Sequence, residues 1–123
     1  MAATGIGAEG DDHAERLVNA GLDIIDYLRA RNRTGAQEWL CRVGIHSGQV
    51  ISGIVGKRRC QFDIMGDDVN IAARVEQHGT PMRLSVTDAT VQLLPRTKYH
   101  IEPQGEASLK GKGEMHLFFV DRL

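Results

Sequence analysis

Residues 62–76 read Phe-Asp-Ile-Met-Gly-Asp-Asp-Val-Asn-Ile-Ala-Ala-Arg-Val-Glu, a short apolar strand joined to an amphipathic helix. Gly66 marks the change of periodicity and predicts the turn. Asn70 and Arg74 are four positions apart, so on a helix their side chains share one face. A guanidinium offers a planar fork of donors to phosphate oxygens, and an amide can hold a sugar oxygen. The stretch therefore predicts a strand, turn and helix that carry a nucleotide site.

Asp63 gives the strand of this unit a possible role in base recognition. Asp63 and Met65 lie on the same strand face, because side chains alternate along a strand. An ionised carboxylate only accepts hydrogen bonds, so Asp63 can accept one from the exocyclic amine of a base.

Ordinary structural roles also explain these residues. Asp67 and Asp68 can cap the helix, and Asn70 can bond to the nearby backbone. Arg74 can form a surface ion pair with Glu76 or Asp68. Spacing alone does not decide between these roles and a nucleotide site.

Periodicity and turn residues predict elements on both sides of this unit. We expect helices at about 12–31 and 67–78, and a brief helix from Thr87 that ends before Pro95. We expect strands at 39–46, 49–55, 61–65, 83–86, 99–106 and 115–121, with a hairpin turn at Ser47-Gly48. Helices that alternate with hairpins predict an α+β fold with a mixed or antiparallel sheet and flanking helices.

Length and charge limit the classes of function. The chain has 123 residues, which suffices for one domain, and a net charge of −1, which gives no general attraction to nucleic acid. The basic run Lys57-Arg58-Arg59 is expected to be a solvated hairpin tip. Cys41 and Cys60 are too few for a disulfide framework or a metal cluster, and suit a reducing compartment. No apolar run approaches the roughly 20 residues of a membrane span, so we expect a cytoplasmic domain.

Three further motifs accompany the strand and helix at 62–76. Residues 1–6 read Met-Ala-Ala-Thr-Gly-Ile, residues 42–56 read Arg-Val-Gly-Ile-His-Ser-Gly-Gln-Val-Ile-Ser-Gly-Ile-Val-Gly, and residues 109–113 read Leu-Lys-Gly-Lys-Gly. In this order the four motifs resemble the catalytic domain of the class III nucleotide cyclases over almost the whole chain. The resemblance implies a ferredoxin-like cyclase fold that spans residues 1–123 and lacks its N-terminal part.

The resemblance implies which residues bind the substrate. Asp63 falls at the base-selecting position, where an aspartate is similar to the adenylate-type cyclases. We therefore expect ATP as the substrate and assign Asp63, Ile64 and Met65 to its binding. Lys110 matches the lysine that meets the terminal phosphates in the family.

Two residues are implied to act in catalysis. Asn70 corresponds to the asparagine that orients the ribose, and Arg74 to the arginine that stabilises the phosphate in the transition state. The implied reaction is attack of the ribose 3′ hydroxyl on the α-phosphorus, which forms 3′,5′-cyclic AMP and releases pyrophosphate. Such phosphoryl transfer depends on positioning and charge stabilisation.

The family uses two metal ions, Mg²⁺ or Mn²⁺, which are bound by aspartates upstream of the position that matches Met1. We assign no metal ligand in this chain. Asp11 and Asp12 suit the first turn of a helix, where acidic residues are favourable. Asp67 and Asp68 suit the turn before a helix, where side-chain oxygens can satisfy free N–H groups.

Cyclases of this family place their sites between two catalytic domains that pair head to tail. By resemblance, ATP and a second catalytic domain, in a homodimer or heterodimer, are the partners of this chain. We expect the chain alone to be inactive, and this expectation leaves open a membrane anchor elsewhere in the parent protein. A non-catalytic regulatory half and a guanylate cyclase remain as alternatives. We expect structural roles for His46, His78 and His100, since none has a suitable partner nearby in sequence.

Overall fold

The computed structural model describes residues 1–5, 12–35, 37–48, 51–55, 61–109 and 113–123, with the backbone alone for 51–55, 61–65 and 109. Its elements are α1 (His13–Thr34), β1 (Val43–Ile45), β2 (Ile51–Val55), β3 (Gln61–Met65), α2 (Asp67–Gln77), β4 (Leu84–Thr87), α3 (Asp88–Val91), β5 (Tyr99–Leu109) and β6 (Gly113–Arg122).

Four of the strands form one mixed sheet. Their order is β1-β4-β6-β5, with β1 parallel to β4 and the other neighbours antiparallel. Strands β2 and β3 form a separate antiparallel pair. The prediction of an α+β fold with a mixed sheet and flanking helices is thus confirmed.

The predicted hairpin at Ser47-Gly48 is wrong. Strand β1 pairs with β4 in parallel, and β2 pairs with β3, so the two strands beside this dipeptide belong to different sheets. The Ser47 hydroxyl instead bonds to the Thr90 hydroxyl at 2.8 Å. A Ser-Gly pair is typical of a change in chain direction. Here the bond to Thr90 connects the segment that follows β1 to α3.

The strand predicted from residue 39 begins only at Val43. Residues before it pack on the end of α1: the Trp39 backbone N–H and C=O bond to the Asn32 amide at 2.9 and 2.8 Å. The Arg31 guanidinium lies over the Trp39 ring, 3.9 Å from its centroid. The alternation of apolar and polar residues at 39–42 therefore serves a loop that follows α1.

Helix α1 covers one face of the sheet. Its buried residues recur at helical spacing, which explains why this stretch forms an amphipathic helix: Ala14, Val18, Gly21, Leu22 and Ile25. All four residues of β4 are buried, as expected for a strand with neighbours on both sides. Gly21 lies so close to Leu84 that a Cβ on Gly21 would be 2.6 Å from Leu84 Cδ1. The core therefore lies between α1 and the centre of the sheet.

A second, smaller core lies under α2. Ile71 and Val75 pack with Leu117 of β6, and Ala107 and Met115 border this cluster. Both β5 and β6 are longer than predicted, and their outer halves supply these contacts. Helix α2 is therefore held by the long β5–β6 pair as well as by β1 and β4 of the same sheet.

Candidate functional site

Helix α2 starts directly after β3, as the sequence predicts. Gly66 makes the junction with φ 130°, a backbone conformation that side chains with a Cβ rarely adopt. The helix then runs from Asp67 to Gln77, and its N-terminal residue Gly66 provides no side-chain cap. A glycine here is therefore a backbone requirement of the strand-to-helix turn.

Asn70 and Arg74 lie one turn apart on α2. The residue that follows each of them, Ile71 and Val75, packs in the small core, and Val75 is 0% exposed. Asn70 is exposed and Arg74 is half-buried. The helix thus presents an amide and a guanidinium beside each other at the border of its buried face, which is the arrangement that the spacing predicts.

The two carboxylates that the sequence offers to Arg74 are bonded to other residues. Glu76 Oε1 accepts a hydrogen bond from Arg42 Nε at 3.0 Å, and Asp68 Oδ1 lies 2.8 Å from His46 Nε2. Within the described part of the chain, the Arg74 guanidinium has no ion pair of its own.

The predicted substrate residues of the strand lie in β3. Asp63, Ile64 and Met65 pair with Gly53, Ser52 and Ile51 of β2 in an antiparallel register. Their side chains lie outside the described structure, so their role in base recognition stays a prediction. The strand nevertheless leads through Gly66 into the helix that carries Asn70 and Arg74.

Lys110 lies outside the described residues. Strand β5 ends at Leu109 and β6 begins at Gly113, and these two residues are paired. The same two strands contact α2 through Leu117, Met115 and Ala107. The motif that contains Lys110 therefore connects two strands that pack on the helix with Asn70 and Arg74.

The predicted capping role of Asp68 is wrong, because the hydrogen bond that the structure gives its carboxylate is to His46 and not to a backbone N–H of α2. Its carboxylate lies instead beside the ring of His46, at the end of β1. An ionised carboxylate only accepts, so His46 Nε2 carries the hydrogen of this bond. The other ring nitrogen, Nδ1, lies 2.8 Å from the Thr87 hydroxyl, and only 6% of the His46 side chain is exposed.

Sequence reasoning missed this arrangement around His46. Asp68 is 22 residues away and Thr87 is 41 residues away in sequence. The sequence showed that the motif at 42–56 precedes the motif at 62–76. It did not show that His46 of the first contacts Asp68 of the second. His78 has a simpler role: its Nδ1 lies 2.8 Å from the Arg74 carbonyl oxygen, at the C-terminal end of α2.

A second contact holds the other end of α2 against β1. A Cβ on Gly44 would overlap the amide nitrogen of Glu76 and lie 2.6 Å from its Cα. Only a glycine lets the strand approach the helix backbone this closely. With the Arg42–Glu76 ion pair, this packing fixes the C-terminal half of the helix.

The described residues contain no group of three or more His, Cys, Asp or Glu side chains that could hold a metal ion. Of the helices that the structure describes, none is both long and apolar enough to cross a membrane.

Comparison with known proteins gives a consistent family. The model of the adenylate and guanylate cyclase catalytic domain matches residues 1–122. Guanylate cyclase soluble subunit beta-2 of Rattus norvegicus is 32% identical over 121 residues, which cover 98% of this chain and 18% of that protein. This chain thus spans less than a fifth of that relative.

Two solved structures share the fold. The guanylate cyclase domain of RhGC from Catenaria anguillulae, in complex with GTP, is 31% identical with a TM-score of 0.85, over 97% of this chain and 65% of that chain. The catalytic core of a rhodopsin-guanylyl cyclase with converted specificity, in complex with ATPαS, is also 31% identical with a TM-score of 0.85, over 98% of this chain and 65% of that chain.

Proposed function

Because this chain belongs to the adenylate and guanylate cyclase catalytic domain family, we propose that it is the C-terminal part of an adenylate cyclase domain. In the intact protein this domain converts ATP to 3′,5′-cyclic AMP and pyrophosphate. The observation that carries the proposal is the pair Asn70 and Arg74 on α2, whose neighbouring carboxylates are bonded to other residues.

The chemistry follows from the residue types. The ribose 3′ oxygen loses its proton and forms a bond to the α-phosphorus, while the bond from that phosphorus to the pyrophosphate oxygen breaks. The Asn70 amide holds the ribose oxygen in line with this bond, and the Arg74 guanidinium donates to the α-phosphate oxygens as charge develops on them. Both groups sit on one helix, which brings them near each other before the substrate arrives.

The remaining substrate residues hold the two ends of the nucleotide. Asp63 accepts a hydrogen bond from the exocyclic amine of adenine, and Ile64 and Met65 complete the binding strand. Lys110 contacts the terminal phosphates. Each assignment rests on the family motif together with the position of β3 and of the β5–β6 pair beside α2.

The site needs a second catalytic domain. Cyclase domains of this family use divalent metal ions, which stabilise charge on the reacting phosphate. We propose that aspartates outside this chain bind two ions, Mg²⁺ or Mn²⁺, and that a partner domain pairs head to tail with this one, as a homodimer or a heterodimer. Residues 1–123 then supply half of a site.

Guanylate cyclase activity is the second candidate. It is favoured by the relatives, because the similar rat subunit and the Catenaria anguillulae domain bound to GTP are guanylate cyclases by name. Asp63 favours adenine. A similar structure is a guanylyl cyclase core of converted specificity bound to ATPαS, so this fold does not by itself fix the base.

The test is a product assay on the intact protein with ATP or GTP, and with Mg²⁺ or Mn²⁺. The proposal predicts cyclic AMP and pyrophosphate in equal amounts, and little cyclic GMP. Preferential formation of cyclic GMP would show that the protein is a guanylate cyclase and not an adenylate cyclase. Nucleotide binding without either product would indicate a non-catalytic half, and turnover by residues 1–123 alone would contradict the half-site arrangement.

A further inference from the structure

We infer that His46 is a positioning residue of the nucleotide site. Its buried ring joins the end of β1 to the start of α2 and so sets where Asn70 stands relative to Arg74. The inference rests on the proposed function of these two residues, since it concerns the accuracy with which α2 presents them.

The ring of His46 is held on both sides. Nε2 donates to Asp68 Oδ1, and Nδ1 pairs with the Thr87 hydroxyl, both at 2.8 Å. The Thr87 side chain belongs to a fully buried residue at the end of β4. Because both ring nitrogens are bonded and the side chain is nearly inaccessible, the ring cannot rotate without breaking one of the two bonds.

Gly48 packs closely against the same Asp68 carboxylate. A Cβ on Gly48 would lie 2.6 Å from both of its oxygens. The chain between His46 and Gly48 is fixed in turn by the bond from Ser47 to Thr90. One short segment after β1 thus holds the first turn of α2 by a hydrogen bond and by close packing.

The first turn of α2 needs such support. The helix has 11 residues, and its N-cap residue, Gly66, is a glycine that has no side chain with which to cap it. Isolated helices of this length are marginal in water, and the first four N–H groups of a helix have no partner within the helix. The packing of Gly44 against Glu76 lies at the opposite end, so it cannot hold the turn that leads to Asn70.

The His46 contact lies at the start of α2 and the Gly44 contact at its end. This difference allows a positioning role of His46 to be distinguished from a general effect on stability. Asn70 follows Asp68 by two residues, whereas Arg74 lies closer to the Glu76 contact. Loss of the His46 bond should therefore displace Asn70 more than Arg74. The reaction would slow while the anionic phosphates still bind, so the rate falls with little change in KM.

The experiment uses the intact protein with four variants: His46→Ala, His46→Gln, Asp68→Ala and the double variant His46→Ala/Asp68→Ala. Glutamine keeps an N–H donor at about the reach of Nε2. His100→Gln is the matched control, because His100 is an exposed strand residue outside the site. The readouts are kcat, KM and amide hydrogen exchange in α2.

We expect His46→Ala to lower kcat by about 10²-fold, the cost of a small misplacement of catalytic groups. Exchange should rise in the first turn of α2 and not in its second half, and His46→Gln should recover most of the rate. Asp68→Ala and the double variant should lose about as much as His46→Ala, since the two residues act as one unit.

Two results would overturn the inference. One is a wild-type kcat in His46→Ala. The other is a loss that His46→Gln does not recover and that accompanies faster exchange throughout the chain, which is the pattern of a residue needed only for folding. If His46→Ala does not fold, Gly48→Ala decides instead. It removes no hydrogen-bonding group, and we expect the same local exchange and rate loss; an unchanged rate and exchange would contradict us.

The outcome is independent of the choice of nucleotide. If the intact wild-type protein makes no cyclic product from ATP or GTP, the proposed function fails. Exchange in α2 still reports whether His46 holds the first turn.

Discussion

Gly44 of β1 lies against the backbone of Glu76 in α2, where a Cβ on the glycine would come within 2.6 Å of the Glu76 Cα. The helix with Asn70 and Arg74 is thus seated on a strand that has no side chain at the point of contact. Arg42, two residues earlier, bonds to the Glu76 carboxylate at 3.0 Å from its Nε. Close packing and an ion pair therefore fix the same turn of the helix.

Gly44→Ala should destabilise the chain by about 1–3 kcal/mol, the usual cost of overpacking, because the atoms it meets are backbone. Gly21→Ala is the comparison. Its Cβ meets side-chain atoms of Leu84 and Val43 and no backbone, and alanine also gains helix propensity over glycine. Urea unfolding of both variants checks the difference. An equal or smaller loss for Gly44→Ala would contradict the close approach of β1 and α2.

Tyr99 connects β5 to α1, and we expect its contribution to the free energy of unfolding to decrease at alkaline pH. The residue is 4% exposed, and its hydroxyl donates to Asn19 Oδ1 at 2.6 Å. Burial, with a smaller effect of the Glu15 carboxylate, raises the pKa of the Tyr99 phenol above its ordinary value. The folded state thus favours the neutral phenol, so its contribution is complete below about pH 10 and is lost as the pH rises above that value.

Tyr99→Phe should therefore cost about 1 kcal/mol at neutral pH, through loss of the hydrogen bond. Its stability should also fall less steeply than that of the wild type above about pH 10. Urea unfolding at a series of pH values measures both effects. Lys98, whose pKa is also raised by its bond to Glu15, is present in both proteins and serves as the internal control. Parallel pH profiles would rule out ionisation of Tyr99 as the cause.

Asp63→Cys in the intact protein should shift nucleotide use from ATP towards GTP. A carboxylate accepts from the exocyclic amine of adenine, whereas the carbonyl oxygen of guanine at that position would be repelled by it. The ratio of kcat/KM for the two nucleotides is the measurement, because it cancels differences in active fraction. A ratio that does not change would show that Asp63 does not read the base.

The local parts of this fold were predictable from sequence. Strand β3 has the predicted bounds, and α2 differs from its predicted bounds only in ending one residue earlier. Gly66 and the change of hydrophobic period indicate both elements, because these signals depend only on residues adjacent in sequence. The position of Asn70 beside Arg74 follows from the same spacing. Such features need no knowledge of what the helix packs against.

The non-local parts were not predictable. Ser47-Gly48 has the composition of a hairpin turn, yet β1 pairs with β4, some forty residues later in the register Val43↔Leu84. The partners of His46 come from two other elements, so no sequence pattern near His46 indicates them. Asp68 has the sequence position of a helix cap, and the nearby imidazole, which a single sequence does not place, takes that carboxylate instead.

The central claim is that Arg74 and Asn70 on α2 act on the reacting nucleotide, and single-turnover kinetics of the intact protein at saturating ATP test it most directly. Arg33→Ala is the matched control, because Arg33 is an exposed arginine in the last turn of α1. We expect Arg74→Ala and Asn70→Ala each to lower the rate of cyclic AMP formation by about 10²–10³-fold, the usual cost of one transition-state donor, with Arg33→Ala unchanged. Cyclisation at the wild-type rate in Arg74→Ala would contradict the account.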